Sequence, residues 1–204
     1  HSPSRRQRQM CIRDRLFNVN CSNAISQSKE PNILFFLVDD LGWYDLGFQG
    51  SKFYETPVID SLSKRGMIFS SAYSSHPRCV PSRYGIMTGE YPARTKSPGP
   101  GSQLKSSEYT IAEALKDNGY STFIAGKWHL SRGKSGSSPE EQGFDQNYGG
   151  GDSGVPKSYF YPYNIQTRGR GNENAPDITK LPEVEKGYHL TCLLYTSPSP
   201  RDED

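Results

Sequence analysis

The most apolar stretch of the chain is Ile33-Leu34-Phe35-Phe36-Leu37-Val38, six residues with no polar position among them. A strand covered on both faces has this pattern, because neither side meets water. The run therefore predicts a buried strand that ends at Asp39-Asp40. Further on, Thr56-Pro57 opens a helix. Thr56 is placed to cap it, Pro57 suits its first turn, Ile59 and Leu62 share a face, and Gly66 closes it. Met67-Ile68-Phe69 reads as a short strand or extended segment. Residues 84–87 fall on a helix whose first turn contains Pro81 and Ser82 and which Gly89 ends. Thr110-Ile111-Ala112-Glu113 is a capping box, with the acid three residues after the cap, and its helix runs to Asn118-Gly119. Residues 121–125 follow as a strand, and Lys127-Trp128-His129 comes at once after it. Helices alternating with strands predict an α/β fold with a mainly parallel sheet. Ligands of such sheets bind beyond the carboxyl ends of the strands, and Asp39-Asp40 and Lys127/His129 stand at two such ends. They are expected to converge on one site. From Ser131 onward Gly, Ser, Pro and Asn dominate, with Tyr159-Phe160-Tyr161-Pro162-Tyr163 interleaved, which reads as long ordered loops. No internal repeat is visible.

Composition narrows the class. Apolar residues are 33% of the 204, a low share, but aromatics at 12% supply large surfaces for a core. No apolar run approaches the roughly 18 residues that span a bilayer. The formal charge of +2 comes from the ends. Residues 1–15 hold five arginines and one aspartate, and the remainder up to residue 191 is neutral. That leaves no electrostatic argument for a nucleic-acid partner.

Both ends have a second feature. Arg5-Arg6-Gln7-Arg8-Gln9-Met10-Cys11-Ile12-Arg13-Asp14-Arg15 resembles a translated sequencing adapter, and so does Cys192-Leu193-Leu194-Tyr195-Thr196-Ser197-Pro198-Ser199-Pro200-Arg201-Asp202, read from the opposite strand. On that resemblance residues 1–15 and 192–204 are expected to be non-native, and are set aside in reasoning about the fold. Cys21 and Cys79 then remain, too few for a disulfide framework. Cys21 reads as a linker cysteine, with the lipid-bearing residue of an export signal as the alternative.

Three familiar motifs fail on context. Gly149-Gly150-Gly151-Asp152-Ser153-Gly154 matches GxGxxG but follows no predicted strand, and Pro156 argues against a helix opening there. Gly133-Lys134-Ser135 lacks the earlier glycine of a phosphate loop, since Trp128 stands at that spacing. No GxSxG nucleophile elbow occurs.

Cys79-Val80-Pro81-Ser82-Arg83, followed by Thr88-Gly89, is different. It resembles the signature of the type I, formylglycine-dependent sulfatases. Pro31-Asn32-Ile33-Leu34, Val38-Asp39-Asp40-Leu41-Gly42, Thr56-Pro57, Ile59-Asp60, Leu62, Gly66, Leu115, Gly119-Tyr120, Gly126-Lys127-Trp128-His129-Leu130 and Gly143-Phe144-Asp145 fit the same family in the same order. The resemblance implies an alkaline-phosphatase-like α/β fold, with residues 16–191 as the N-terminal part of the catalytic domain. It also implies that Cys79 is oxidised to formylglycine by a maturation enzyme and hydrated to a gem-diol. One hydroxyl attacks the sulfur of a sulfate ester and expels the alcohol. The other loses its proton, expels sulfate and restores the aldehyde.

The same resemblance makes Asp39 and Asp40 ligands of a calcium ion, which the oxygens carried by matured Cys79 also reach. Adjacent residues of a regular strand face opposite ways, so the two acids must lie in the turn just past it to share a metal. Taken alone, Asp-Asp before Leu-Gly would simply end a strand. Arg83, one helical turn after Cys79, is implied to brace the diol and the metal carboxylates with its permanently charged fork. Lys127 is implied to hold a sulfate oxygen and His129 a diol hydroxyl. The bland readings are a structural cysteine with a surface arginine, and an ordinary lysine and histidine; the matching motifs outweigh them. His76 and Arg78 lie close to Cys79 and match no role. Glu90 stands where the family often has a basic residue. The family's later calcium ligands and its distal His and Lys have no counterpart up to Thr191, so the chain alone is expected to be inactive.

The substrate implied is a sulfate ester, expected on a carbohydrate. The rivals are a phosphonate or phosphodiester hydrolase of the same superfamily, and a catalytically silent chain that binds sulfated glycans. Family habit points to the periplasm, the cell surface or secretion.

Overall fold

The computed structural model describes residues 30–95, 103–131, 137–163 and 181–196. Residues 1–15, Cys21 and Gly133-Lys134-Ser135, all singled out above, lie outside the described residues. The chain divides after Gly42 into two units.

In the first unit the apolar run is not a strand. Residues 33–38 have no ladder partner among the described residues, and their side chains are open to solvent, Phe36 at 80%. A strand is a pairing, and its N–H and C=O groups need a neighbouring edge to bond. Apolar side chains alone do not supply one. Asp39 and Asp40 lie in a turn, as sharing a metal would require, and Asp40 has a left-handed φ of 54°.

The second unit begins at Trp43. Helix α1, Pro57–Ser63, forms where the sequence puts it, but Thr56 does not cap it. Its hydroxyl accepts from the Gly47 N–H at 2.8 Å and donates to the Asp60 carboxylate at 2.9 Å. The same carboxylate accepts from the Phe48 N–H at 2.9 Å. Thr56 and Asp60 thus clamp the preceding loop, a use of the hydroxyl that competes with capping. The helix ends at Lys64, and the Gly66 N–H reaches the Leu62 carbonyl at 2.9 Å. No residue of α1 is buried. Met67-Ile68-Phe69 is irregular and exposed.

Helix α2, Cys79–Thr88, carries Pro81 in its first turn, where a missing N–H costs nothing. It stops at Gly89, whose φ of 69° lets its N–H close on the Gly85 carbonyl at 3.0 Å. A single turn, α3, follows at Pro92–Thr95. Helix α4, Ile111–Asp117, has the capping box read from the sequence. The Thr110 hydroxyl accepts from the Glu113 N–H at 3.2 Å, and Glu113 accepts from the Thr110 N–H at 2.8 Å.

Strand β1, Phe123–Ala125, pairs in parallel with β2, Gln146–Tyr148, in register Phe123 with Gln146 and Ala125 with Tyr148. This pair, with helices before it in the chain, is the α/β arrangement expected. The polar β2 lies in the stretch read as loop. Gly143-Phe144-Asp145 steers it into place: the Asp145 carboxylate accepts from the Thr122 N–H at 2.9 Å, and the Thr122 hydroxyl donates to the Gly143 carbonyl at 2.6 Å. Asp145 also pairs with Lys116 at 2.6 Å, and that bond, followed by the one from Thr122, holds its carboxyl below the usual value. Gly143 has a φ of 94° and passes so close to Glu113 that a Cβ would lie 2.5 Å from the Glu113 nitrogen. Only glycine fits there.

Tyr84, Leu104, Trp128 and Leu130 form the buried core, with Val80, Met87, Ile124 and Phe144 packed against it. A second cluster joins Tyr163, Leu190 and Leu193, the last two on helix α5, Leu190–Tyr195, which the sequence reading did not anticipate. No described helix is long and apolar enough to cross a membrane.

Candidate active site

Cys79 is the first residue of α2, half-buried, with a free thiol. Arg78 before it is extended and puts no side-chain cap over the helix end. The first-turn N–H groups and the positive end of the helix dipole therefore remain available to an anion. Arg83 lies one turn further on. Its guanidinium donates to the carbonyl of Lys127. This bond ties the helix that begins at Cys79 to the segment that follows β1.

That segment is anchored at two positions. Trp128 and Leu130 point into the core and are 1% exposed. The Trp128 indole donates to the Ser137 carbonyl at 3.0 Å and meets the Phe144 ring edge-on at 5.9 Å. The Leu130 carbonyl accepts from the Leu104 N–H at 3.1 Å. Lys127 and His129, on either side of Trp128 in sequence, are half-buried. Trp128 and Leu130 thus anchor the segment that carries Lys127 and His129. His129 has a left-handed φ of 62°, and its N–H donates to the Gly151 carbonyl at 2.9 Å. Among the described residues Asp40 and His129 are the non-glycine positions with positive φ, a strained state that concentrates at functional sites.

The structure therefore joins Arg83, on the helix that starts at Cys79, to the backbone of Lys127, two residues before His129. Asp39 and Asp40 are described within their own unit. Among the described residues no three His, Cys, Asp or Glu side chains form a metal-sized cluster. Two carboxylates in a tight turn offer the hard oxygen donors that calcium prefers, as part of the six to eight it takes.

Two features escaped the sequence reading. Tyr84, inside the Cys79 motif, is 1% exposed, and its hydroxyl donates to Glu108 at 2.7 Å and Glu90 at 3.1 Å. Glu90, noted as a departure, thus has a neutral partner in the helix. Burial first, then Glu108, then Glu90 hold the phenol well above its ordinary pKa. The second feature is the glycine run after β2, which folds back over His129. Its only sequence signal was the motif match dismissed for dinucleotides.

The sulfatase family model matches residues 31–195, and the chain belongs to the sulfatase family, with its alkaline-phosphatase-like α/β fold. An N-acetylgalactosamine-6-O-sulfatase from Bacteroides thetaiotaomicron is 40% identical over 199 residues, covering 81% of this chain and 39% of the relative. The dog N-acetylgalactosamine-6-sulfatase is 35% identical over 158 residues, 71% of this chain and 29% of its own. The crystal structure of Ps i-CgsB is 36% identical and superposes with a TM-score of 0.57, over 76% of this chain and 37% of that one. The chain thus spans about a third of the length of these relatives.

Proposed function

We propose that this protein hydrolyses sulfate esters of carbohydrates, with Cys79 as precursor of the nucleophile. The observation that carries the reading is the Arg83–Lys127 hydrogen bond. It couples the helix end at Cys79 to the pair Lys127 and His129. A sulfate ester is an anion and repels nucleophiles, so its cleavage depends on fixed positive charge around the sulfate. Lys127, Arg83 and the first turn of α2 supply such charge. Lys127 binds a sulfate oxygen, Arg83 holds the Cys79 helix in place, and His129 takes the proton of a hydroxyl carried on residue 79. The hydrated aldehyde of matured Cys79 provides one hydroxyl for attack and a second whose deprotonation releases sulfate. Asp39 and Asp40 would hold calcium, a hard cation whose chemistry is charge neutralisation at bound oxygens. The named relatives act on N-acetylgalactosamine 6-sulfate groups, and a neighbour is solved with k-i-k-neocarrahexaose, which supports a sulfated carbohydrate as substrate.

The test is chemical. The protein is produced with a formylglycine-generating enzyme and digested with trypsin. The peptide from Cys79 to Arg83 is expected to carry an aldehyde that reacts with a hydrazide. Persistence of the thiol under these conditions contradicts the reading.

A further inference from the structure

The glycine run Gly149-Gly150-Gly151-Asp152-Ser153-Gly154 divides its labour. The Asn147 side chain accepts from the Gly150 N–H at 2.9 Å and donates to the Gly150 carbonyl at 3.0 Å, which pins the turn that leaves β2. The Gly151 carbonyl then accepts the His129 N–H. A Cβ on Gly151 would meet nothing within 4 Å, so its side of the contact is purely backbone. Gly154 is the reverse. A Cβ there would lie 2.6 Å from Cε1 of the His129 ring, 3.0 Å from Nε2 and 3.1 Å from Nδ1. The imidazole presents its nitrogen-bearing corner to the space a side chain would fill. Gly154 needs no unusual φ, so steric room is the reason for glycine here.

We infer that Gly154 is a positioning residue for His129. The missing side chain at 154 leaves the space that the nitrogen-bearing corner of the ring fills, and the carbonyl of Gly151 holds the His129 backbone beside it. Any methyl at 154 collides with the ring, and the ring must turn or the strap must lift. The ring occupies the space that a side chain at 154 would take, while the His129 N–H is bonded to Gly151. The catalytic meaning of that placement rests on the sulfatase reading; the placement itself does not.

The test uses the histidine Hε1–Cε1 resonances of the chain and of two variants. In Gly154→Ala the His129 resonance shifts beyond its linewidth, while those of His76 and His189 stay, and the Trp128 indole resonance shows the core intact. In Gly151→Ala, with its open Cβ position and unchanged carbonyl, the His129 resonance stays. A thermal cycle covers the case of a poorly behaved variant. Gly154→Ala lowers Tm by about 2–4 °C or more in a chain of this size, and the loss disappears when His129 is already Ala. An unmoved His129 resonance, or an equal Tm loss in both backgrounds, overturns the inference. Conversion of Cys79 is read separately, so failure of that step leaves the ring measurement standing.

Discussion

Helices α1 and α2 lie in the same unit and are held in different ways. Helix α1 buries none of its residues, and Leu62 is 58% exposed. Polar bonds from Thr56 and Asp60 hold it to the loop before it. Helix α2 drives Tyr84 into the core, ties Tyr84 to two carboxylates, and reaches through Arg83 to the segment after β1. Only the second arrangement fixes a helix in three dimensions, and it is the helix with Cys79 at its tip. The more firmly held helix is the one that carries the proposed precursor of the nucleophile.

The contrast is broken most severely at Trp128. Trp128→Ala empties the centre of the core and removes the indole hydrogen bond. It should cost about 3–5 kcal/mol, read by denaturant unfolding, and should loosen the segment that carries Lys127 and His129. A loss under about 1 kcal/mol would show that the core does not anchor the site. Tyr84→Phe comes next, at about 1–2 kcal/mol, because the phenol hydrogen bonds go to carboxylates.

The same residue gives a pH signature. Its folded pKa lies above the ordinary value of 10.0. In the unfolded chain the phenol ionises near pH 10, while in the fold it stays protonated. The stabilisation is therefore complete below pH 10 and is lost as pH rises through the folded value. Thermal scans should show Tm falling above pH 10, and less steeply in Tyr84→Phe. Tyr109 and Tyr163 are shifted the same way, so the slope is reduced and not abolished. The smallest effect belongs to α1. Leu62→Ala should change stability by under about 0.5 kcal/mol, and a value several times larger would mean that α1 is anchored as α2 is.

What could be read beforehand was local. The capping box of Thr110 and Glu113, the stop at Gly89 and the one-turn spacing of Cys79 and Arg83 depend on residues a few positions apart. The family was legible because its motifs, around Cys79 and at Lys127-Trp128-His129, are likewise short runs of neighbouring residues. The rest depends on partners distant in sequence. Residues 33–38 have the composition of a strand and no described edge to pair with, whereas Gln146-Asn147-Tyr148 is polar and pairs because Asp145 and Thr122 deliver it to β1. Thr56 looked like a cap and serves as a clamp because Gly47 folds back to it. Gly154 is needed because of a ring twenty-five positions earlier, which no local pattern reveals.

On the proposed function, the tip of α2 and the segment after β1 form one anion site. Titration of the chain with inorganic sulfate at low ionic strength, followed by backbone amide resonances, tests it most directly. The amides of Cys79, Val80, Lys127 and His129 should move together along one saturable curve, and the curve should weaken in Arg83→Ala. Movement at Cys79 and Val80 without Lys127 and His129, or no saturable movement at all, would contradict a shared site.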